Sequence, residues 1–205
     1  TQSEDVRIKY GALASIFGIV SNVIICAFKI VIGVISGALS ILADGINNLS
    51  DALNSIVSLL GFKMSQKKPD KEHPYGHQRM EYIAGFIVSV IVCVLGVQLI
   101  LEAIDKIRNP GSEVSYFYLN LGILCFAIII KLYQAILYRS IGKKINSQTL
   151  IATSTDSRND VISTSLVLVG LIISKFTGYN LDGYFGLAVG LLVCYSGIKL
   201  VMEAS

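Results

Sequence analysis

Charge is scarce in this chain: 15% of its residues are Asp, Glu, Lys or Arg, and 53% are hydrophobic. Soluble domains carry about 25% charged residues. With a mean hydropathy of +0.66, the composition excludes a soluble globular domain and describes an integral membrane protein. Histidine is nearly missing, with two residues in total, both in one polar stretch. HExxH does not occur, which removes a metalloprotease reading. The apolar runs hold no plausible nucleophile–base constellation, so an intramembrane enzyme is not expected. Cys26, Cys93, Cys125 and Cys194 lie within apolar runs without CxxC spacing; they read as small core or lipid-facing residues, not as disulfides or soft-metal ligands. The net charge of +3 is modest and suits loops on a membrane surface, not nucleic acid. The polar opening TQSEDVRIKY lacks the apolar stretch of a cleavable leader.

Long apolar runs are what the chain does have. Stretches near 11–35, 39–62, 82–104, 115–138 and 181–202 are long enough to cross about 30 Å of hydrocarbon. Residues 161–173 form a further run that is too short, and Lys175 stops it on its far side. A full span there must begin near Thr149 and run over 149–174, which draws Asp156, Arg158 and Asp160 into the membrane. The expected fold is an all-α membrane protein, a bundle of six transmembrane helices. Lys63, Lys67, Lys68, Lys71 and Arg79 crowd the second loop, and Arg139, Lys143 and Lys144 crowd the fourth, with Arg7 and Lys9 before the first helix. The alternate loops hold only Lys106, Arg108 and Lys175, so both termini are expected on the cytoplasmic side. Gly33 with Gly37 and Gly186 with Gly190 have GxxxG spacing, which marks candidate close-packing faces within or between chains.

Charged residues inside a membrane are costly and point to function. In the second span, ILADGINNLSDALNS, Asp44, Asn47 and Asp51 are spaced three and four apart and share one helical face. In the fifth, Asp156 and Asp160 share a face at i and i+4. The two spans run antiparallel, which sets Asn47 level with Asp160 and Asp51 level with Asp156. Asn47, Asp51, Asp156 and Asp160 can thus converge as an oxygen-rich metal site. Its three carboxylates need a divalent cation, or protons when the cation leaves. Polar helix contacts with no transport role are the alternative. Arg158 lies about 200° around the helix from both aspartates and is expected to face away. Asp44 could serve as an accessory ligand, a proton relay or a carboxylate bonded to neighbouring helices. Lys29 and Lys131 could be counter-charges to a carboxylate, although a snorkelling lysine is the commoner case. An all-oxygen set suits Mn²⁺, Mg²⁺ or Ca²⁺ better than Zn²⁺.

The loop KKPDKEHPYGHQRMEY carries Asp70, His73 and His77 in D-x2-H-x3-H spacing, with Glu81 four residues later. These could form a second metal site with a borderline metal such as Zn²⁺, or the histidines could pin the turn marked by Pro74 and Gly76.

SGALSILADGINNLSD, PDKEHPYGHQRMEY and DSRND together give the chain its resemblance to the cation diffusion facilitator family of divalent-metal transporters. The resemblance implies a proton-coupled antiporter that exports divalent metal from the cytoplasm by alternating access, usually as a homodimer in the lipid bilayer. It implies a multi-pass protein of the cell membrane, in a bacterium the inner or plasma membrane. The transport site corresponds to Asn47, Asp51, Asp156 and Asp160. Zinc-transporting relatives commonly place histidine among the positions matching Asn47 and Asp156, and the pattern here is similar to the manganese branch. Mn²⁺ is therefore the expected cargo and protons the counter-ion, with a Zn²⁺ or Fe²⁺ exporter, or less favourably a divalent-cation channel, as alternatives. The loop site carries over as Asp70, His73 and His77, and Arg79 takes a position linked to the dimer contact. The family usually adds a cytoplasmic C-terminal domain. Residues 1–205 are expected to be the transmembrane domain without it.

Overall fold

The computed structural model describes residues 2–65, 78–109, 114–146 and 148–204. It is all-helical over these residues, with six helices: α1 (Gln2–Ser36), α2 (Leu39–Ser65), α3 (Gln78–Arg108), α4 (Phe117–Lys144), α5 (Gln148–Thr177) and α6 (Asp182–Ala204). Each expected span has its helix. α1, α3 and α4 outrun the apolar segments from which they were read, because a helix need not stop where the hydrocarbon stops. The SEDVRIKY and YRSIGKK turns are polar and still hold several good helix formers. The α1–α2 turn is made at Gly37 (φ 67°), and α5 ends at Gly178 (φ 73°), whose amide bonds the Ser174 carbonyl. Both glycines take the left-handed conformation that side chains oppose.

The bundle is apolar outside and polar inside. Val20, Val31, Ile87, Val94, Leu132, Ile136 and Leu166 stand exposed, while Lys29, Asp44, Asn48, Lys131, Gln134 and Asp160 are buried. In water this would be a misfolded arrangement; in lipid it is the stable one, since exposed apolar surface costs nothing there and polar groups need internal partners. Four stretches are long and apolar enough to cross a membrane: Ile16–Ser36, Phe86–Arg108, Phe117–Lys144 and Leu150–Thr177. Among the described residues, α2 and α6 contain no such stretch. α2 carries Asp44, Asn47, Asn48 and Asp51.

Packing is most extensive for α3 on α6, then α4 on α5 and α1 on α2, and α2 touches α5 only lightly. Glycines set the closest approaches. A Cβ on Gly96 of α3 would lie 2.8 Å from the Cys194 backbone of α6, and one on Gly33 would lie 2.7 Å from the Leu42 amide of α2. Gly186 packs on Leu39 and Ser40 of α2, and Gly190 on Leu99 and Ile100 of α3. Gly33, Gly186 and Gly190 are thus spent within one chain, whereas Gly37 makes the turn. A core cluster of Ile32, Leu39, Ile41, Val92, Leu99, Leu124, Val167, Val189 and Val193 holds the bundle together beside the polar interior.

Candidate functional site

Asp44 and Asn48, one turn apart on α2, point between α1 and α5. There the Lys29 ammonium of α1 donates to Asp44 Oδ2 at 2.7 Å, to Asn48 Oδ1 at 2.8 Å and to Thr164 Oγ1 at 3.0 Å. All three ammonium donors are used. Thr164 Oγ1 in turn donates to Asp44 Oδ2 at 2.8 Å and Ser163 Oγ to Asp44 Oδ1 at 3.1 Å. Both oxygens of Asp44 are therefore engaged in a fully buried ion pair. Desolvation makes such a pair tolerable only with this kind of saturation. Of the roles open to Asp44, the geometry provides a carboxylate bonded to neighbouring helices, joining α1, α2 and α5.

Asp160 makes a second buried pair. Lys131 Nζ of α4 lies 2.5 Å from Asp160 Oδ2, with Lys131 1% and Asp160 6% exposed. Asp51 of α2 is half-buried, with Asp160, Lys131, Asp156 and Asp44 all within electrostatic reach. Asn47 is half-buried, and Asp156 is exposed, with Lys199 of α6 and Lys131 acting on it. Arg158 is exposed. Asp51, Asp160 and Asp156 thus share a neighbourhood across α2 and α5 without closing into one shell. Among the described residues, no three His, Cys, Asp or Glu side chains sit close enough together to hold a metal ion. Asp160 is turned onto Lys131.

Lys29 and Lys131 are both buried counter-charges, not snorkelling lysines. Hydropathy could not show this, because each lysine interrupts an apolar run with nothing in the sequence to say which way it turns. Only the carboxylate on the next helix supplies the partner. Gln134, one turn from Lys131, donates to Ser21 Oγ at 2.5 Å and Asn22 Oδ1 at 3.3 Å on α1. Asp182 at the start of α6 was likewise not anticipated. Its carboxylate accepts the backbone amides of Leu39 (2.7 Å) and Ser40 (3.1 Å), the Ser40 hydroxyl, and the Lys106 ammonium at 2.7 Å. It supplies from another helix the cap that α2 lacks in its own sequence. Lys106 also donates to the Gly37 carbonyl at 2.5 Å, so α1, α2, α3 and α6 are clamped at one end of the bundle.

Asp70, His73 and His77 lie outside the described residues. Glu81 is on the first turns of α3, and its side chain also falls outside them.

The chain matches the cation efflux transmembrane domain over residues 15–205. It is 34% identical over 178 residues to the Uncharacterized transporter MJ0449 of Methanocaldococcus jannaschii, covering 87% of this chain and 62% of that protein. It is 29% identical over 202 residues to the Manganese efflux system protein MneS of Bacillus subtilis, covering 97% of this chain and 68% of the relative. Manganese efflux system protein MneP of the same organism is 31% identical over 195 residues, with 92% and 64% covered. The chain thus spans about two thirds of these relatives' length. The domain match includes both aspartate-bearing helices and leaves out only the first turns of α1. The chain therefore belongs to the cation efflux, or cation diffusion facilitator, family, whose members are membrane transporters and not enzymes.

Proposed function

We propose that this chain is the membrane part of a proton-coupled exporter of divalent metal, with Mn²⁺ the preferred cargo. Its helices form six spans with both termini cytoplasmic, in a cell membrane, as a homodimer. The observation that carries the reading is that Asp51 on α2 lies within electrostatic reach of the buried Asp160 and the exposed Asp156 on α5. Asn47 adds a neutral oxygen from the same face of α2.

Mn²⁺ enters from the cytoplasm, drawn past the acidic Asp70 and Glu72, and binds Asn47, Asp51, Asp156 and Asp160. Hard oxygen donors favour this ion, and two relatives bear manganese efflux in their names. The light contact between α2 and α5 suits a site whose two halves shift against each other as it opens outward. Protons displace the ion by taking over its carboxylates, and the protonated carrier returns inward. A second metal at Asp70, His73 and His77, with Glu81 nearby, belongs to the same reading.

Metal flux into proteoliposomes under a pH gradient tests it, with Mn²⁺ compared with Zn²⁺ and the parent protein with Asp160→Ala. Gradient-driven Mn²⁺ flux that Asp160→Ala abolishes is the expected result. Zn²⁺ flux of equal or greater rate would overturn the manganese preference. Flux that stays linear far above millimolar metal would favour a channel.

A further inference from the structure

Asp160 cannot give both its oxygens to a cargo ion while the Lys131 ammonium holds Oδ2 at 2.5 Å. We propose that Lys131 is a tethered cation which holds Asp160 when no divalent ion is bound and yields the carboxylate when one binds. The inference rests on the metal-site reading above and adds to it a residue, on a third helix, that decides which ions can enter.

Three features of the pair point this way. Lys131 is buried and its ammonium is directed at one of the carboxylates proposed as ligands, whereas the ammonium of Lys29 is saturated by three partners, none of them a proposed ligand. Lys131 is also within electrostatic reach of Asp51, so the lysine faces α2 as well as α5. Gathering the aspartates into one shell brings a cation into competition with Lys131 for Asp160 Oδ2, which links metal binding between α2 and α5 to a side chain of α4.

The charge balance gives the pair a purpose. Asp51, Asp156 and Asp160 left together in a low dielectric would repel one another strongly. A tethered ammonium relieves that repulsion between cargo ions without leaving the protein. It also acts as a valence filter. Na⁺ or K⁺ would exchange one positive charge for another and gain nothing over an ammonium already in place. A divalent ion brings twice the charge and attracts all three carboxylates, so it alone displaces the lysine.

The test is Mn²⁺ binding to the purified full chain in detergent, read as the loss of the free-ion electron paramagnetic resonance signal, for the parent protein, Lys131→Met, Lys131→Gln and Asp160→Asn. Removing a positive charge at hydrogen-bonding distance from a ligand should tighten Mn²⁺ binding at least about tenfold in Lys131→Met. Sodium in excess should then compete with Mn²⁺ in the variant and not in the parent. Lys131→Gln keeps a hydrogen-bond donor beside Asp160 without the charge and serves if the methionine variant does not fold; the same tightening is expected. Unchanged or weaker Mn²⁺ binding in a folded Lys131 variant would overturn the tethered-cation role. Asp160→Asn separates the two readings: if it leaves Mn²⁺ binding at the parent level, the metal site itself is wrong, and the role of Lys131 falls with it.

Discussion

The ammonium of Lys29 lies 2.7 Å from the carboxylate of Asp44, and neither side chain has any exposed surface. The two residues come from neighbouring helices, and Thr164 on a third helix bridges them. A buried pair of this kind adds little over an apolar contact of the same volume, but losing one partner leaves an uncompensated charge. Lys29→Ala should therefore cost about 3–5 kcal/mol, read as a lowered unfolding temperature in detergent. Lys29→Met combined with Asp44→Asn should recover a good part of the loss, because no unpaired charge remains. A single variant as stable as the parent would show that water reaches the pair.

Asp182 closes the other end of the bundle. Asp182→Ala removes the acceptor for the Leu39 and Ser40 amides and for Lys106, and the loss of such a cap costs about 1–2 kcal/mol. Thermal unfolding would measure it. Mn²⁺ affinity should be unchanged, since Asp182 contacts none of Asn47, Asp51, Asp156 or Asp160.

Close helix packing gives a sharper contrast. Gly96→Ala would put a methyl group 2.8 Å from the Cys194 backbone, which α3 and α6 can absorb only by moving apart, at about 1–3 kcal/mol. Gly122 on α4 has nothing among the described residues within 4 Å of a new Cβ. Gly122→Ala should be neutral or slightly stabilising, because alanine is the better helix former. Equal effects at the two positions would contradict the packing of α3 on α6.

Mn²⁺ binding should weaken as pH falls. Metal and protons compete for the same carboxylates, so each metal bound must release protons. Isothermal titration at about pH 6 and about pH 8 should show tighter binding at the higher pH and proton release that changes with the ionisation enthalpy of the buffer. Affinity independent of pH would argue against carboxylate ligands.

Much of the fold was legible because one physical variable governs it. Lipid makes apolar length decisive, and the limits of all six helices follow the apolar runs with their polar extensions. The short run at 161–173 is the instructive case. Too brief to span alone, it forced Asp156 and Asp160 into a helix that is indeed continuous from Gln148 to Thr177. Helical periodicity also placed Asp51 on the side of α2 that meets α5 and left Arg158 exposed. The composition limit on α2 was legible in the same residues, since the polar groups that make it a candidate site reduce its hydropathy.

The amino-acid sequence by itself determined an all-helical membrane protein with two aspartate-bearing helices, whose oxygen-bearing side chains make up the proposed metal site. Tertiary structure alone decided which charges meet. Helical periodicity gives the direction of a side chain around its own axis, but not the rotation of that axis relative to its neighbours. So Lys29 could be assigned to Asp44, Lys131 to Asp160, and Asp182 to the start of α2 only once the helices were packed. Those pairings follow from the demand that each buried charge find a partner, a condition on the whole bundle that no single segment carries.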